Sequence, residues 1–488
     1  MSHRRVRIAV LFGLATMLWL AAAAPAVPSP RARSAKVATT VLKETAHGRA
    51  ATFLVLLARQ ADVSGAQALP TKLAKGRFVF QTLRSFAARA QAPIKALLDR
   101  MGARYRSHWV VNLLRVTGSR AVVDALAARP DVAQILPDPW LKSTILPTQP
   151  PRPAAAPPHG PDTVEWNVDR VHAPIAWSHG YTGQGIVLGN IDTGQQWDHP
   201  ALKPHYRGWN GSTVDHNYNW YDATDPTNRS PIDPYGHGTH TAGTMVGDDG
   251  GVNQIGVAPG SKWMSCRSMS SAGFGSPDTY ITCFEFMIAP WNLDGQNPDP
   301  AKAPVAVSNS WYCSISSEGC SQGVLYQTVK NVRAAGIVPV VAAGNSGPTC
   351  SSIGIDGPPA QYDESYTVGA TTSSNTLASF SSRGPATVPH QTLIKPDIVA
   401  PGEGVRSSWP PSTYLVASGT SMATPHIAGV IALIYSAKPS LIGNVDATEA
   451  LINSTAHHIN SAECSSSGTW PNNLYGYGFV DAARAVRP

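Results

Sequence analysis

From about residue 162 to the C-terminus, apolar runs of strand length alternate with helical segments. The apolar runs cover residues 185–191, 239–246, 262–269, 304–308, 337–343 and 424–435, the last being long enough for a helix. Strands that alternate with helices pair in parallel, so the pattern predicts an α/β fold with a parallel sheet covered by helices on both faces. In such sheets, reactive groups lie at the carboxyl ends of the strands. That edge is therefore where a functional site is expected.

The first 150 residues have a different pattern. Their order of elements is β-α-β-β-α-β, which predicts a small ferredoxin-like α+β unit with a core at about residues 50–140. The elements are a strand at 52–58, a helix at 79–102, apolar runs around residue 105 and at 109–114, a helix at 119–128 and a strand at 132–136. The Pro-rich stretch 147–161 predicts an extended linker after this unit.

The N-terminus has the features of an export signal. Three arginines precede an apolar run at residues 8–24, and Ala24-Pro25-Ala26 fits a small-x-small cleavage site. We therefore expect a signal peptide at 1–26, a segment removed on maturation at 27–146, a linker at 147–161 and the main domain at 162–488. The mature protein is expected in the medium or the periplasm, with no membrane association after signal removal, because no later run reaches 18 apolar residues.

Charge is distributed unevenly along the chain. Residues 1–150 carry 22 Lys and Arg against 6 Asp and Glu, a net charge of +16, whereas residues 151–488 carry 16 against 25, a net charge of −9. The overall charge of +7 is therefore no argument for a nucleic-acid partner. We expect a monomer in which the two oppositely charged segments attract each other.

All six cysteines lie in the acidic part of the chain, at positions 266, 283, 313, 320, 350 and 464. An even number in an exported chain predicts disulfides, and fifteen full pairings are possible. Cys313 and Cys320 bracket a short polar loop, which favours that pair locally. Free thiols remain the alternative.

Four polar residues stand where predicted elements end or begin. They are Asp192 after the strand at 186–191, His237 between two glycines, Asn345 after the strand at 338–343, and Ser421 ahead of Pro425 at the start of a helix. A serine hydroxyl needs a base to accept its proton, an imidazole can be that base, and a carboxylate can orient the imidazole. The Asn345 amide and the Ser421 backbone N–H could stabilise an oxyanion.

Each residue also has a simpler interpretation. Asp192 and Ser421 are suitable helix caps, and His237 could be a packed core histidine. His237 with His240 could form a metal pair, although further ligands at suitable spacing are missing. A catalytically silent binding scaffold is a further alternative.

Six segments together resemble the subtilisin-like serine peptidases, the subtilase family. They are IDTG at 191–194, GHGTHTAGT at 236–244, GVAPG at 256–260, AAGN at 342–345, KPDIVAPG at 395–402 and GTSMATPH at 419–426. The stretches at 199–202, 206–208, 219–223 and 307–311 are similar to the bacillopeptidase F branch, and 40–142 resembles the family's inhibitor-type propeptide.

The resemblance implies a secreted serine endopeptidase that acts on proteins and peptides without a required cofactor. It implies that Asp192, His237 and Ser421 are the catalytic triad and that Asn345 and Ser421 form the oxyanion hole. It also implies substrate binding by Ser308, Ser310, Trp311 and Gly344, and an autoprocessed precursor. Residues 40–142 would then act as intramolecular chaperone and inhibitor.

Two departures from the family pattern limit what the resemblance implies. Tyr312 stands where a glycine usually follows the Ser-Trp pair, which leaves the specificity pocket undefined. Ala201 replaces the aspartate of the usual calcium site, so that site is expected to be missing, although calcium could bind elsewhere. Asp356 could favour a basic side chain in the pocket, or could be a surface residue.

Overall fold

The computed structural model describes residues 35–138, 141–142, 152–153, 163–315, 318–388 and 391–487. The predicted signal peptide at 1–26 and all but two residues of the predicted linker at 147–161 lie outside this part of the chain.

The N-terminal unit has the predicted β-α-β-β-α-β order. Its antiparallel sheet has the strand order β2-β3-β1-β4, which is the ferredoxin-like arrangement. The elements are α1 (Thr39–Glu44), β1 (Ala50–Leu57), α2 (Lys72–Arg100), β2 (Arg104–His108), β3 (Leu113–Ser119), α3 (Arg120–Ala127) and β4 (Val132–Pro137). The apolar run at 109–114 differs from the expectation, because residues 109–112 form a turn and β3 begins only at Leu113.

Two short strands connect this unit to the rest of the molecule. The strand β5 (Leu141–Lys142) pairs with β10 (Phe274–Gly275), and β6 (Arg152–Pro153) pairs with β18 (Thr413–Ala417). The helices and strands that follow are α4 (Trp166–Arg170), α5 (Ala173–Ser178), β7 (Val187–Asp192), β8 (Trp220–Asp222), α6 (His237–Val246), β9 (Lys262–Arg267), β10 (Phe274–Gly275), α7 (Pro277–Ile288), β11 (Ala306–Asn309), α8 (Tyr326–Ala334), β12 (Val338–Ala342), β13 (Tyr366–Thr371), β14 (Ala386–Val388), β15 (Gln391–Leu393), β16 (Ile398–Pro401), β17 (Val405–Trp409), β18 (Thr413–Ala417), α9 (Thr420–Ala437), α10 (Val445–Thr455) and α11 (Ala482–Val486).

The main sheet confirms the predicted α/β class. Its seven parallel strands have the order β16-β13-β12-β11-β7-β9-β8. One face is covered by α6 and α9, and the other by α7 and α8. Among the helices of the described residues, none is both long and apolar enough to cross a membrane.

The N-terminal unit packs against the second of these faces. Leu54, Val79 and Val110 belong to the same buried apolar cluster as Phe284 of α7 and Val329 of α8. Burial of this apolar surface stabilises the contact between the two parts.

The six cysteines form three disulfides: Cys266–Cys283, Cys313–Cys320 and Cys350–Cys464. The local pairing of Cys313 with Cys320 is therefore confirmed. The other two bridges join β9 to α7 and the segment after β12 to the C-terminal region.

Candidate active site

The strand register brings distant parts of the chain to one edge of the sheet. Asn309 at the end of β11 pairs with Ile191 of β7 on one side and with Val341 of β12 on the other. Because all three strands run in parallel, the residues that follow them emerge at the same carboxyl edge. Asp192 and Ser310 are the next residues along their strands.

Asp192 and His237 form a buried hydrogen-bonded pair. Nδ1 of His237 lies 2.7 Å from Oδ1 of Asp192, and both side chains are almost inaccessible to solvent. The backbone N–H of Thr193 donates to the same oxygen, and the Thr241 hydroxyl donates to Oδ2. A carboxylate on Nδ1 favours the tautomer with its proton on Nδ1, which leaves Nε2 free to accept one.

The pKa of His237 is raised above its ordinary value. Burial alone would lower the pKa, but the charge of Asp192, its hydrogen bond and the charge of Asp233 outweigh that effect. The imidazolium that forms when His237 accepts a proton is thereby stabilised.

Asp233 is a positioning residue that sequence reasoning missed. Its buried carboxylate accepts hydrogen bonds from the backbone N–H groups of Gly236 and Thr239 and from the hydroxyls of Thr193 and Thr239. These bonds fix the turn that precedes His237. The only sequence signal is a lone aspartate four residues before His237, which does not distinguish it from a surface residue.

Ser421 lies in the first turn of α9, as predicted for a helix start. Pro425, however, lies beyond that first turn and cannot donate the helical hydrogen bond to the Ser421 carbonyl. The Ser310 hydroxyl donates to this carbonyl instead, at 3.0 Å. This bond ties Ser421 to the end of β11.

The Asp–His step of the predicted triad is formed in the structure, whereas the His–Ser step is not. The Ser421 hydroxyl donates to the Ser310 carbonyl at 3.2 Å. Nε2 of His237 is buried and has no hydrogen-bond partner among the described residues. Hydrogen bonds between a catalytic base and its nucleophile are often long or absent before substrate binds.

Asn345 and the Ser421 backbone converge on one small space. Oδ1 of Asn345 accepts from the backbone N–H and the hydroxyl of Thr420, which orients the amide. A Cβ atom added at Gly419 would lie 3.4 Å from Nδ2 of Asn345 and 3.7 Å from the Ser421 nitrogen. Nδ2 has no partner among the described residues. An oxygen atom placed in this space could therefore accept hydrogen bonds from Nδ2 of Asn345 and from the backbone N–H of Ser421.

The predicted substrate-binding residues occupy different positions. Ser308 is buried inside β11, where neighbouring strands pair with it on both sides. Trp311 is buried and stacks on Tyr280 with ring centroids 3.9 Å apart. Gly344 has φ +105°, which disfavours other residues. Their role in substrate binding stays a prediction.

The structure has a short strand near the candidate site, β10, that the sequence analysis did not predict. The strand β10 (Phe274–Gly275) pairs antiparallel with β5 (Leu141–Lys142), so a segment of the chain itself extends along it. An extended peptide that adds a strand in this way is a common mode of peptide recognition. No sequence pattern indicates this two-residue strand.

The alternative of a His237–His240 metal pair finds no support in the geometry. His240 is buried, its Nε2 bonds to the Val405 carbonyl, and burial together with the charge of His237 lowers its pKa to about 3. Nδ1 of His237 is already engaged by Asp192. Within the described ranges, the one group of three His, Cys, Asp or Glu side chains close enough together to share a metal ion is Cys313, Glu318 and Cys320, and its two cysteines form a disulfide.

Ala201, which stands in place of the aspartate of the usual calcium site, offers no side-chain oxygen. Ala201 is buried and donates its backbone N–H to the His199 ring. Because calcium prefers several oxygen ligands, these residues do not fit the ion, and no step of the chemistry is assigned to it.

Asp356 lies next to the segment that carries Asn345. Its carboxylate accepts a hydrogen bond from the Ser346 hydroxyl, and its carbonyl accepts from the Ile315 backbone. This position is near the candidate site, and a preference for basic substrates stays a prediction. Tyr312 is mostly buried beside the same segments.

Comparison with known proteins decides the family. A family description, "Subtilase family", matches residues 183–478, which include Asp192, His237, Asn345 and Ser421. The chain belongs to the subtilase family. This membership makes it a serine-type peptidase and assigns its α/β domain to the subtilisin type.

Several named subtilases are similar to this chain. Bacillopeptidase F of Bacillus subtilis (strain 168) is 40% identical over 395 residues, which cover 78% of this chain and 26% of that protein. Subtilisin Savinase of Lederbergia lenta is 35% identical over 325 residues, which cover 67% of this chain and 99% of that protein. M-protease of Shouchella clausii (strain KSM-K16) is 34% identical over 325 residues, 67% of this chain and 70% of that protein. The chain thus spans about a quarter of the length of bacillopeptidase F.

Proposed function

We propose that this subtilase is a secreted endopeptidase that hydrolyses peptide bonds through an acyl-enzyme on Ser421 and is made as an autoprocessed precursor. The observation that carries the proposal is the buried pair of Asp192 and His237 at the sheet edge that also holds Ser421 and Asn345. A surface salt bridge or a helix cap would not need an imidazole nitrogen left buried without a partner.

In this mechanism, Ser421 Oγ attacks the carbonyl carbon of the substrate while its proton passes to Nε2 of His237. Asp192 stabilises the resulting imidazolium, and the N–H groups of Asn345 and Ser421 stabilise the oxyanion. The C–N bond then breaks as His237 gives the proton to the leaving amine. A water molecule then attacks the acyl-enzyme ester with the same proton transfers through His237. The carboxylic acid product leaves and the Ser421 hydroxyl is restored.

The position of β5 supports processing of the precursor by its own site. Leu141 and Lys142 lie at the end of the N-terminal unit and pair with β10 as a peptide substrate would. A scissile bond a few residues after Lys142 would fall in or just before the Pro-rich stretch at 147–161. The N-terminal unit would then remain bound as the inhibitor, as the charge asymmetry also suggests.

Secretion is supported by the N-terminal signal pattern and by the three disulfides. Disulfides persist in oxidising compartments, outside the reducing cytosol. Peptides and proteins of the medium are then the expected substrates.

The test is replacement of the nucleophile in the full chain. We expect Ser421→Ala to remain unprocessed, to leave casein intact and to lose labelling by a serine-directed phosphonate. Ser454→Ala, an exposed serine in α10, is the matched control and should be processed and labelled like the wild type. A Ser421→Ala chain that still cuts itself would refute the assignment. Loss of wild-type activity with a chelator and its recovery with zinc would instead favour metal-dependent hydrolysis.

A further inference from the structure

Glu318 is a buried carboxyl group to which the mechanism above gives no role. It lies in the loop closed by the Cys313–Cys320 disulfide, and its side chain is inaccessible to solvent. It forms no ion pair within the part of the chain that the structure describes. Burial raises the pKa of Glu318 to about 8, and hydrogen bonds from its neighbours only partly offset that rise.

Groups from three segments near the candidate site donate hydrogen bonds to this carboxyl group. The backbone N–H of Ser314 donates to Oε2 at 2.8 Å, and the Tyr280 hydroxyl donates to Oε1 at 3.1 Å. The backbone of Gly275 also hydrogen-bonds the carboxylate. One side chain thus joins β10, α7 and the loop that follows β11.

The contact between Gly275 and Tyr280 is close. A Cβ atom added at Gly275 would lie 2.3 Å from the Tyr280 hydroxyl oxygen, so the backbone of β10 lies directly against that hydroxyl. The Tyr280 ring stacks on Trp311, which follows Ser310 and its hydrogen bonds with Ser421. Glu318 and Tyr280 therefore connect the edge at β10 to the segment that contacts the nucleophile.

We propose that Glu318 is a positioning residue for the peptide substrate, because its hydrogen bonds fix β10 (Phe274–Gly275) as the edge along which the substrate extends as a strand. The inference rests on the proposed peptidase function and deepens it. The pairing of Leu141 and Lys142 with β10 shows that this edge accepts an extended chain. A two-residue strand has few hydrogen bonds of its own, so its position depends on what holds it from behind.

The proposal predicts an effect that depends on substrate length. For a cut after residue 146, Leu141 and Lys142 are the sixth and fifth residues before the scissile bond, so a peptide with six residues before that bond extends to β10, whereas an ester with one residue does not. The assay is run above about pH 9, where Glu318 is ionised and both of its oxygens accept hydrogen bonds. In Glu318→Gln, an N–H donor replaces one of these acceptor oxygens, so one of the three donors loses its partner. We expect KM for the long substrate to rise about 10-fold, with kcat and all constants for the short substrate within about twofold of the wild type.

The experiment uses enzyme produced from the full 488-residue chain, with the same residue before the scissile bond in both substrates. Tyr280→Phe removes one donor to Glu318 but keeps the ring, and should raise KM for the long substrate about threefold. Glu463→Gln, which changes an exposed carboxylate paired with Arg383, is the matched control and should change neither substrate.

The outcomes separate the inference from the proposed function. An unchanged KM for the long substrate in Glu318→Gln, or an equal loss with both substrates, would overturn the positioning role. If Glu318→Gln does not fold, Tyr280→Phe decides by the same comparison. If the wild-type enzyme hydrolyses neither substrate, the proposed function fails and the inference fails with it.

Discussion

At the scale of single residues, the two ends of the Asn345 amide differ. Its Oδ1 accepts hydrogen bonds from two donors of Thr420, whereas its Nδ2 has no partner among the described residues. The orientation of the amide is thus set by the protein before any substrate binds. Such preorganised donors stabilise the charge that develops in the transition state more than they stabilise the bound substrate.

Asn345→Ala should therefore lower kcat about 10²–10³-fold and leave KM within about twofold. Steady-state kinetics with one peptide substrate measure both constants. Thr420→Ser keeps the hydroxyl that orients the amide, so it is the matched control and should retain most of the activity. A variant in which KM rises while kcat is kept would show that Asn345 binds the substrate's ground state instead.

The candidate site residues could be named from sequence, whereas the buried carboxyl groups beside them could not. Asp192 follows an apolar strand and His237 stands between glycines, and such local patterns mark the sheet edge directly. Asp233 and Glu318 accept hydrogen bonds from backbone N–H groups, and these partners have no side-chain signature. Their function appears only once the chain is folded.

At the scale of elements, the predicted helices and most strands were found, and the differences have physical causes. The run at 109–114 is apolar because Val110 and Val111 are buried against α7 and α8, not because they form a strand. Hydrophobicity alone does not distinguish a sheet interior from a contact between two units. Helix α2 begins at Lys72, well before the predicted residue 79, because Thr71 caps its first turn through the Ala74 N–H.

The disulfide between Cys266 and Cys283 links two elements of the site, since it joins β9 to α7, whose first turn follows β10. A cross-link over 17 residues stabilises the fold by about 3 kcal/mol through the unfolded state. We expect the double variant Cys266→Ala/Cys283→Ala to lose about this much free energy of unfolding in denaturant titrations. A loss under about 0.5 kcal/mol would contradict the expectation.

At the scale of the whole molecule, a buried histidine lies in the contact between the two units. Nε2 of His108 lies 2.8 Å from Oδ1 of Asp278, and its Nδ1 lies 3.4 Å from Oε2 of Glu285. Arg106 also pairs with Asp278, as does Arg115 at 3.4 Å. Burial alone would lower the pKa of His108, but the charge of Glu285 and the hydrogen bonds of both carboxylates raise it to about 9.

This shift makes the contact dependent on pH. Because the pKa in the folded chain lies above the ordinary 6.5, the stabilisation is fully present below pH 6.5 and is lost as the pH rises through about 9. In the unprocessed Ser421→Ala chain, the melting temperature should therefore fall more over this window than in Ser421→Ala/His108→Gln.

The comparison of the two variants is needed because Lys72 in the same contact acts in the opposite direction. Burial lowers the pKa of Lys72 to about 7, so its contribution to stability grows as the pH rises. Subtracting the two melting curves removes this shared background. Parallel curves from pH 6.5 to 9.5 would show that His108 does not stabilise the contact through its charge.

The strand β5 precedes the expected end of the N-terminal segment at residue 146, β6 follows it, and each strand pairs with a different sheet. Hydrolysis of one bond between them would change the covalent connectivity while both anchors stayed in place. The immediate product would be a non-covalent complex of two chains in which β5 still occupies the edge at β10. The rate at which activity appears in the medium would then be set by the rate at which the cleaved N-terminal fragment dissociates.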